Sequence, residues 1–352
     1  MTTQPAPGPG RWRMPAEWEP HERTWMAWPS QGYTLGDTVE EVESARGTWA
    51  AVAKAVARFE PVTLVVDPGD VQVAHSYLDA DHRITLVEAP LDDAWMRDIG
   101  PSFVVSQSGS LGAVDWVFNG WGAQSWATWG NDERIAGFVG GQAAAEVIGS
   151  SMVNEGGGIH VDGHGTVLLT ETVQLDPGRN PGLTRADVEA ELARTIGATA
   201  YVWLPRGLTR DYDEFGTRGH VDIVATFAAP GVVLLHWQED HDHPDYGVCR
   251  ELEAVLEGTL DARGEALRVV KVPAPRTTHD DEGPVDWSYI NHLVVNGGVV
   301  ACTFADPQDA ESLAILAAAY GGRDVVGVDA RPLFARGGGI HCITQQQPRT
   351  TA

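Results

Sequence analysis

The sequence predicts an α/β protein assembled from repeated units, and three observations carry that prediction. Helical patterns at 132–148, 184–196, 246–256 and 307–320 follow a short one at 70–78, at intervals of roughly 50 to 65 residues. Short runs rich in β-branched residues, such as Val232-Val233-Leu234-Leu235-His236, lie between them. A hydrophobic content of 43% over 352 residues is enough for a substantial core. Each period therefore resembles one helix with a few strands. Radial repetition of such a unit closes into a propeller-like ring, with residues from several units meeting on the axis. An open doubly wound sheet is the competing architecture, because strand–helix alternation alone separates the two only in part.

Taken in order, residues 1–10 are rich in Pro, Gly and Thr and read as a disordered tail, leaving 11–349 as a single domain. Residues 14–29 are dense in tryptophan and charge, with prolines that interrupt regular structure. A helix starts at Asp37, which can cap it, with Glu40 three residues on; Val39, Val42, Trp49, Val52 and Val56 supply its apolar stripe, and it ends before Pro61. A buried strand at 62–66, the short helix at 70–78 and a strand at 84–87 follow. Further strands fall at 165–169, 222–227, 232–236, 267–272, 292–295, 299–304 and 324–328.

Composition narrows the function classes. The tail lacks the basic and apolar regions of a signal peptide and no apolar run approaches a membrane span, so the chain reads as soluble, unexported and without a membrane partner. Three widely separated cysteines, Cys249, Cys302 and Cys342, argue against a disulfide framework and for a reducing compartment, the cytoplasm. A net charge of -25, from 49 acidic and 24 basic residues, disfavours nucleic acid and attracts small cations.

Four stretches place chemistry-bearing side chains beside glycine or aromatic residues. In Asp92-Asp93-Ala94-Trp95-Met96-Arg97-Asp98, Asp98 can grip a cation with Trp95 as a stacking face, the plain alternative being an ion pair of Arg97 with Asp98 or Asp93. Glu155 precedes Gly156-Gly157-Gly158, and His160, Asp162 and His164 follow at period two, which also permits a metal site on one strand face. His241-Asp242-His243-Pro244-Asp245 reads as a solvated loop. In Gly219-His220-Val221-Asp222, the His and Asp share one face of an extended chain. Finally, Gly337-Gly338-Gly339-Ile340-His341-Cys342 is a glycine-lined turn that can present a thiol, since residues without a β-carbon allow close approach. One thiol, one histidine and three carboxylates suit a planar, delocalised cation, and a guanidinium is the obvious match.

At these residues, together with Met14-Pro15-Ala16-Glu17-Trp18-Glu19-Pro20-His21, Arg179-Asn180-Pro181 and Ile340-His341-Cys342-Ile343-Thr344-Gln345-Gln346, the chain resembles the agmatine deiminase and bacterial-type peptidylarginine deiminase family of the guanidine-modifying (pentein) superfamily. The resemblance covers nearly the whole chain. It implies a five-bladed α/β-propeller of ββαβ units and hydrolysis of a guanidine with no cofactor and no metal. Cys342 then resembles the nucleophile, His220 the general acid/base, Asp98 and Asp222 the guanidinium clamps, and Glu155 the carboxylate next to His220. The substrate implied is a small cationic guanidine, agmatine first, and a homo-oligomer is left open.

Two departures from that family bear on the substrate. The turn before Cys342 lacks an asparagine common after the glycines, and Arg218 stands where a small polar residue is usual. An arginine there would repel an ammonium tail or bind a substrate carboxylate, so arginine, peptidyl-arginine and other guanidines remain alternatives, as do amidino transfer and a non-catalytic binding protein of the same fold. Trp121, the loop holding Trp25 and Trp28, and Asp211-Tyr212-Asp213-Glu214 are candidates for the far end of the substrate.

Overall fold

In the computed structural model, residues 11–78, 82–281 and 283–350 are described; the tail 1–10 lies outside them. Local sequence chemistry sets the helix ends. Helix Val39–Ala57 is capped by Thr38, whose hydroxyl accepts from the Glu41 amide while the Glu41 carboxylate returns to the Thr38 amide, so the capping box lies one residue beyond the Asp37 expected. Helix Arg185–Ile196 has the same device in Thr184 and Asp187 and ends at left-handed Gly197. The helix expected over 132–148 is shorter. A single 3-10 turn leads into Ile135–Gln142, and the chain then enters strand Glu146–Val153.

Among the described residues the strands form five mixed sheets of three or four strands and one two-stranded ribbon. The five sheets share a pattern: an antiparallel pair, then a helix, then a parallel neighbour. Ser102–Ser106 pairs antiparallel with Leu111–Val117, which pairs parallel with Glu146–Val153 after helix Ile135–Gln142. The second sheet joins Ile159–Val161, Thr166–Thr170 and, after helix Arg185–Ile196, Ala200–Leu204. The third joins Ala225–Ala229, Val232–Trp237 and, after helix Asp245–Glu257, Arg268–Pro273. The fourth joins Leu293–Val295, Gly298–Thr303 and, after helix Asp309–Ala319, Asp324–Asp329. The last is completed from both ends of the chain, because Thr344–Pro348 pairs antiparallel with His21–Ala27, which continues in parallel through Val62–Val66. The ββαβ unit implied by the resemblance is thus present, in accord with the one helix and few strands read from each period.

The inner strand Val62–Val66 is buried along its whole length and apolar but for Thr63, whereas its outer parallel neighbour Ile84–Glu88 is only partly buried. The largest core cluster gathers Trp25, Trp28, Trp49, Trp95 and Cys342. No helix among the described residues is long and apolar enough to cross a membrane.

Candidate active site

Cys342 lies in the turn two residues ahead of strand Thr344–Pro348 and is 2% exposed. The Asn291 side-chain amide donates to its Sγ at 3.2 Å, and the thiol faces Asp222 Oδ2 at 3.7 Å. The preceding glycines are required by close approach. A β-carbon on Gly338 would sit 2.7 Å from the Trp95 ring and 3.1 Å from Sγ, and one on Gly339 would collide with Asn291 Oδ1.

Asp98, on the short helix Met96–Ile99, accepts from Trp121 Nε1 at 2.9 Å and from the Gly157 amide at 3.2 Å. His220 stands between two carboxylates, with Nε2 3.3 Å from Glu155 Oε2 and Nδ1 3.8 Å from Asp98 Oδ1. A β-carbon on Gly157 would overlap His220 Nδ1, which explains the glycine run after Glu155. Glu155 is held in turn by Arg179, whose Nε lies 3.0 Å from both oxygens and whose other nitrogens reach Asp176 and the Thr217 carbonyl.

His220 and Asp222 do not share a strand face. The segment Val221–Ile223 is a 3-10 turn, and the strand starts only at Ala225. The turn sends the two side chains apart, His220 toward Glu155 and Asp98, Asp222 toward Cys342 and His341.

Asn291 escaped the sequence reading. Asp98, Glu155, Asp222 and Cys342 each precede the first strand of one ββαβ unit, and Asn291 holds that place in the remaining unit, two residues ahead of Leu293–Val295. Its equivalence to Cys342, also two residues ahead of its strand, was the available signal.

The electrostatics follow from burial and crowding. Burial opposes a charged His220, but Asp98 and then Glu155 outweigh it and push the imidazole up to about 9. Burial raises Asp98 to about 6 against the opposing pull of His220. Glu155 falls to about 2 because Arg179 and His220 overcome its burial. Burial, Asp222 and Asp98 push the Cys342 thiol well above its usual value. Near neutrality the site therefore holds an imidazolium, ionised carboxylates and a protonated thiol. Asp222 Oδ1 and His220 Nδ1 are buried there with no hydrogen-bond partner among the described residues.

Trp95, Trp121, Trp126, Phe215, Asp98 and Cys342 line a cavity of about 10 Å³, the room for about one water. A larger hollow of about 710 Å³, around Trp12 and Arg349, contains none of these groups and is not the seat of the chemistry.

The whole chain has relatives. Residues 13–348 match the family described as Porphyromonas-type peptidyl-arginine deiminase. A Streptomyces coelicolor protein is 58% identical over 339 residues, 96% of this chain and 99% of its own. The agmatine deiminase of Stutzerimonas stutzeri is 41% identical over 357 residues, 95% of each chain. The solved agmatine deiminase of Enterococcus faecalis superposes with a TM-score of 0.89 at 34% identity, covering 96% of each chain.

The chain belongs to the Porphyromonas-type peptidyl-arginine deiminase family. Its α/β fold matches the solved guanidine-modifying structures of that group.

Within this family member, other residues singled out in the sequence fall as follows. Trp95 presents its ring to the cavity and donates Nε1 to Thr34; Trp121 lines the cavity and orients Asp98. Arg218 does not line the cavity, and its guanidinium lies 3.3 Å from Asp176 Oδ2. Arg97 turns to Glu17 and Gln346. Trp25 and Trp28 are core residues. His243 and Asp245 are buried, contrary to the solvated loop expected, and Asp245 holds Thr209.

The period-two metal reading does not survive: Asp162 is satisfied by Thr166 and backbone amides, and His164 points to solvent. A different trio, Glu17, His160 and His341, brings its polar atoms within 4.8 Å of one another. His160 Nδ1 accepts from the Phe227 amide, so Nε2 carries the proton, and His341 gives both nitrogens to carboxylates. Neither ring keeps a free lone pair to offer a metal.

Proposed function

We propose that this chain hydrolyses agmatine to N-carbamoylputrescine and ammonia through a covalent Cys342 adduct, within a single domain, 11–349, whose five ββαβ units stand as blades around the site. The carrying observation is the pair of buried carboxylates flanking one thiol, Asp98 and Asp222, with Asp222 Oδ1 and His220 Nδ1 unpartnered. The similarity to agmatine deiminases of known structure supports the same reading.

The guanidinium is gripped by Asp98 and Asp222, which turns an encounter into an oriented attack. The positive charge offsets the two carboxylates that hold the thiol protonated, so substrate itself lowers the barrier to forming the thiolate. The thiol proton leaves to solvent as the cation enters, and the thiolate adds to the central guanidine carbon. His220, protonated, gives its proton to the departing nitrogen and ammonia leaves, forming the S-linked amidino intermediate. His220 then takes a proton from the water that attacks this carbon, and collapse returns the thiol and releases the ureido product. Glu155, fixed by Arg179, keeps the imidazole oriented and charged between turns.

Agmatine is favoured over arginine by the cavity walls. Trp95, Trp121, Trp126 and Phe215 offer faces to an aminobutyl chain and its ammonium once their side chains part to widen a cavity that otherwise holds about one water. Arg218, the reason for weighing arginine, is engaged by Asp176. Arg336 lines the cavity too, but its nitrogens donate to the carbonyls of Thr34, Pro332 and Glu41.

The test is ammonia release from agmatine, arginine, a peptidyl-arginine and agmatine with an added amine, using Cys342→Ser as control. Turnover of agmatine alone supports the assignment, and turnover of arginine or the peptide but not agmatine replaces the substrate. Amidino transfer to the amine replaces the reaction, and no turnover by a folded sample leaves a binding protein.

A further inference from the structure

Behind Asp222, on the side away from the cavity, lies a chain of charged groups that the proposed chemistry does not use. His341 Nδ1 lies 2.7 Å from Asp222 Oδ2, and His341 Nε2 lies 2.7 Å from Glu17 Oε1. Both partners are carboxylates and every group involved is buried. An ionised carboxylate only accepts hydrogen bonds, so a histidine that bonds one through each nitrogen is donating twice, which only the imidazolium can do. Glu17 is fixed from other directions by Arg97 Nη1 at 3.4 Å, Gln346 Nε2 at 3.4 Å and His160 Nε2 at 3.6 Å.

The backbone of the same residue makes a second connection. The His341 amide donates to Asn291 Oδ1 at 2.9 Å, which leaves the Asn291 amide nitrogen directed at Cys342 Sγ. His341 thus touches, through its ring and its main chain, both side chains that hydrogen-bond the thiol, Asp222 and Asn291, and does not line the cavity.

We propose that Glu17 and His341 form a positioning pair: the His341 imidazolium, held charged by Glu17, keeps Asp222 ionised and turned so that Oδ1 is free to receive the guanidinium. This rests on the deiminase reading and deepens it, since nothing in the reaction itself requires a residue as distant as Glu17. The charged groups around the pair are consistent. His341 faces Glu17, Asp222, Arg97, His160 and His292; Asp222 faces His341, His220, Arg97, Asp98 and Cys342. Burial and Arg97 work against a charged His341, and Glu17 and Asp222 overcome them and raise it. Burial works against an ionised Asp222, and the His341 hydrogen bond leads the forces that lower it. Removing the charge from His341 leaves Asp222 facing Asp98 with less compensation, and its proton affinity rises.

The experiment uses full-length protein made inactive by Cys342→Ala, alone and combined with Glu17→Gln or His341→Gln. Calorimetry gives the Kd for agmatine from pH 6 to pH 8. The expected result is an affinity loss of at least about tenfold in both combined variants across this range, because Asp222 is no longer turned and compensated to receive the guanidinium. A parent that binds neither agmatine nor any other guanidine sinks the deiminase reading itself. A parent that binds, with combined variants matching its Kd across the range, sinks the positioning pair and leaves the deiminase reading intact. Should either variant fail to fold, the unmodified protein still decides. The ¹⁵N shifts of the His341 ring must report protons on both nitrogens from pH 6 to pH 8, and a neutral ring with one bare nitrogen overturns the proposal.

Discussion

Glu155→Gln isolates the carboxylate that the geometry makes responsible for the charge on His220. Glu155 Oε2 lies 3.3 Å from His220 Nε2, and at an effective dielectric of about 20 two unit charges at that separation attract by about 5 kcal/mol, or roughly 3 to 4 pKa units before any relaxation. The variant keeps the shape and a hydrogen-bond acceptor but loses that attraction. It also leaves Arg179, which lay 3.0 Å from both Glu155 oxygens, with Asp176 as its remaining carboxylate partner and a net repulsion toward the imidazolium. Relaxation absorbs part of the change, so His220 is expected to fall from about 9 by about two units or more. An NMR titration of the histidine Cε1 signals measures this directly, independent of which step limits turnover. His236 and His292, which burial holds near 4, serve as internal controls for an intact fold. A His220 value that stays near 9 in a variant whose controls are unmoved refutes the assignment of Glu155 as its charge partner. The activity of the variant should fall as well, because a neutral imidazole cannot protonate the leaving nitrogen.

Three further outcomes follow from the same contacts. Asp222→Asn or Asp98→Asn should lower the Cys342 thiol pKa, read from the pH dependence of iodoacetamide inactivation, because each removes a carboxylate that holds the thiol protonated; a thiol already ionised near pH 7 in the unmodified protein would make substrate-assisted activation unnecessary. Asn291→Ala should cost about 10- to 100-fold in kcat with the fold intact, the range expected when a hydrogen bond to a developing thiolate is lost, and unchanged kcat would remove Asn291 from the site. Arg218→Ala should leave kcat/KM for agmatine within about two- to threefold, as for an ordinary exposed substitution, since its guanidinium is turned to Asp176; a large gain or loss would return Arg218 to substrate recognition.

How much of this was legible in the sequence depends on how local each signal is. Cys342 and Glu155 announce themselves because the glycines that make room for Sγ and for His220 lie beside them in the chain. His220 and Asp222 were recognisable as a pair, but period-two logic assumes an extended backbone, and Val221–Ile223 winds into a 3-10 turn that sends one side chain to each half of the site. The overlong helix at 132–148 failed for a related reason. An alanine-rich run suggests a helix, yet Gly140 and Gly141 loosen its end and Ala144 takes a left-handed backbone, φ 52°, from which Glu146–Val153 starts as a strand.

Partners far apart in sequence were the least legible, and the site depends on them. A lone asparagine carries no motif, so Asn291 becomes visible only when the ββαβ units are superimposed and its place is seen to match that of Cys342. Glu17 is harder still, because its role exists only once Thr344–Pro348 pairs with His21–Ala27. That pairing ties the two ends of the chain together and carries both Cys342 and His341 to Glu17. The strand that closes the fold therefore also completes the site, and a substitution at Glu17, 325 positions from Cys342, is expected to be felt as a change in guanidinium binding.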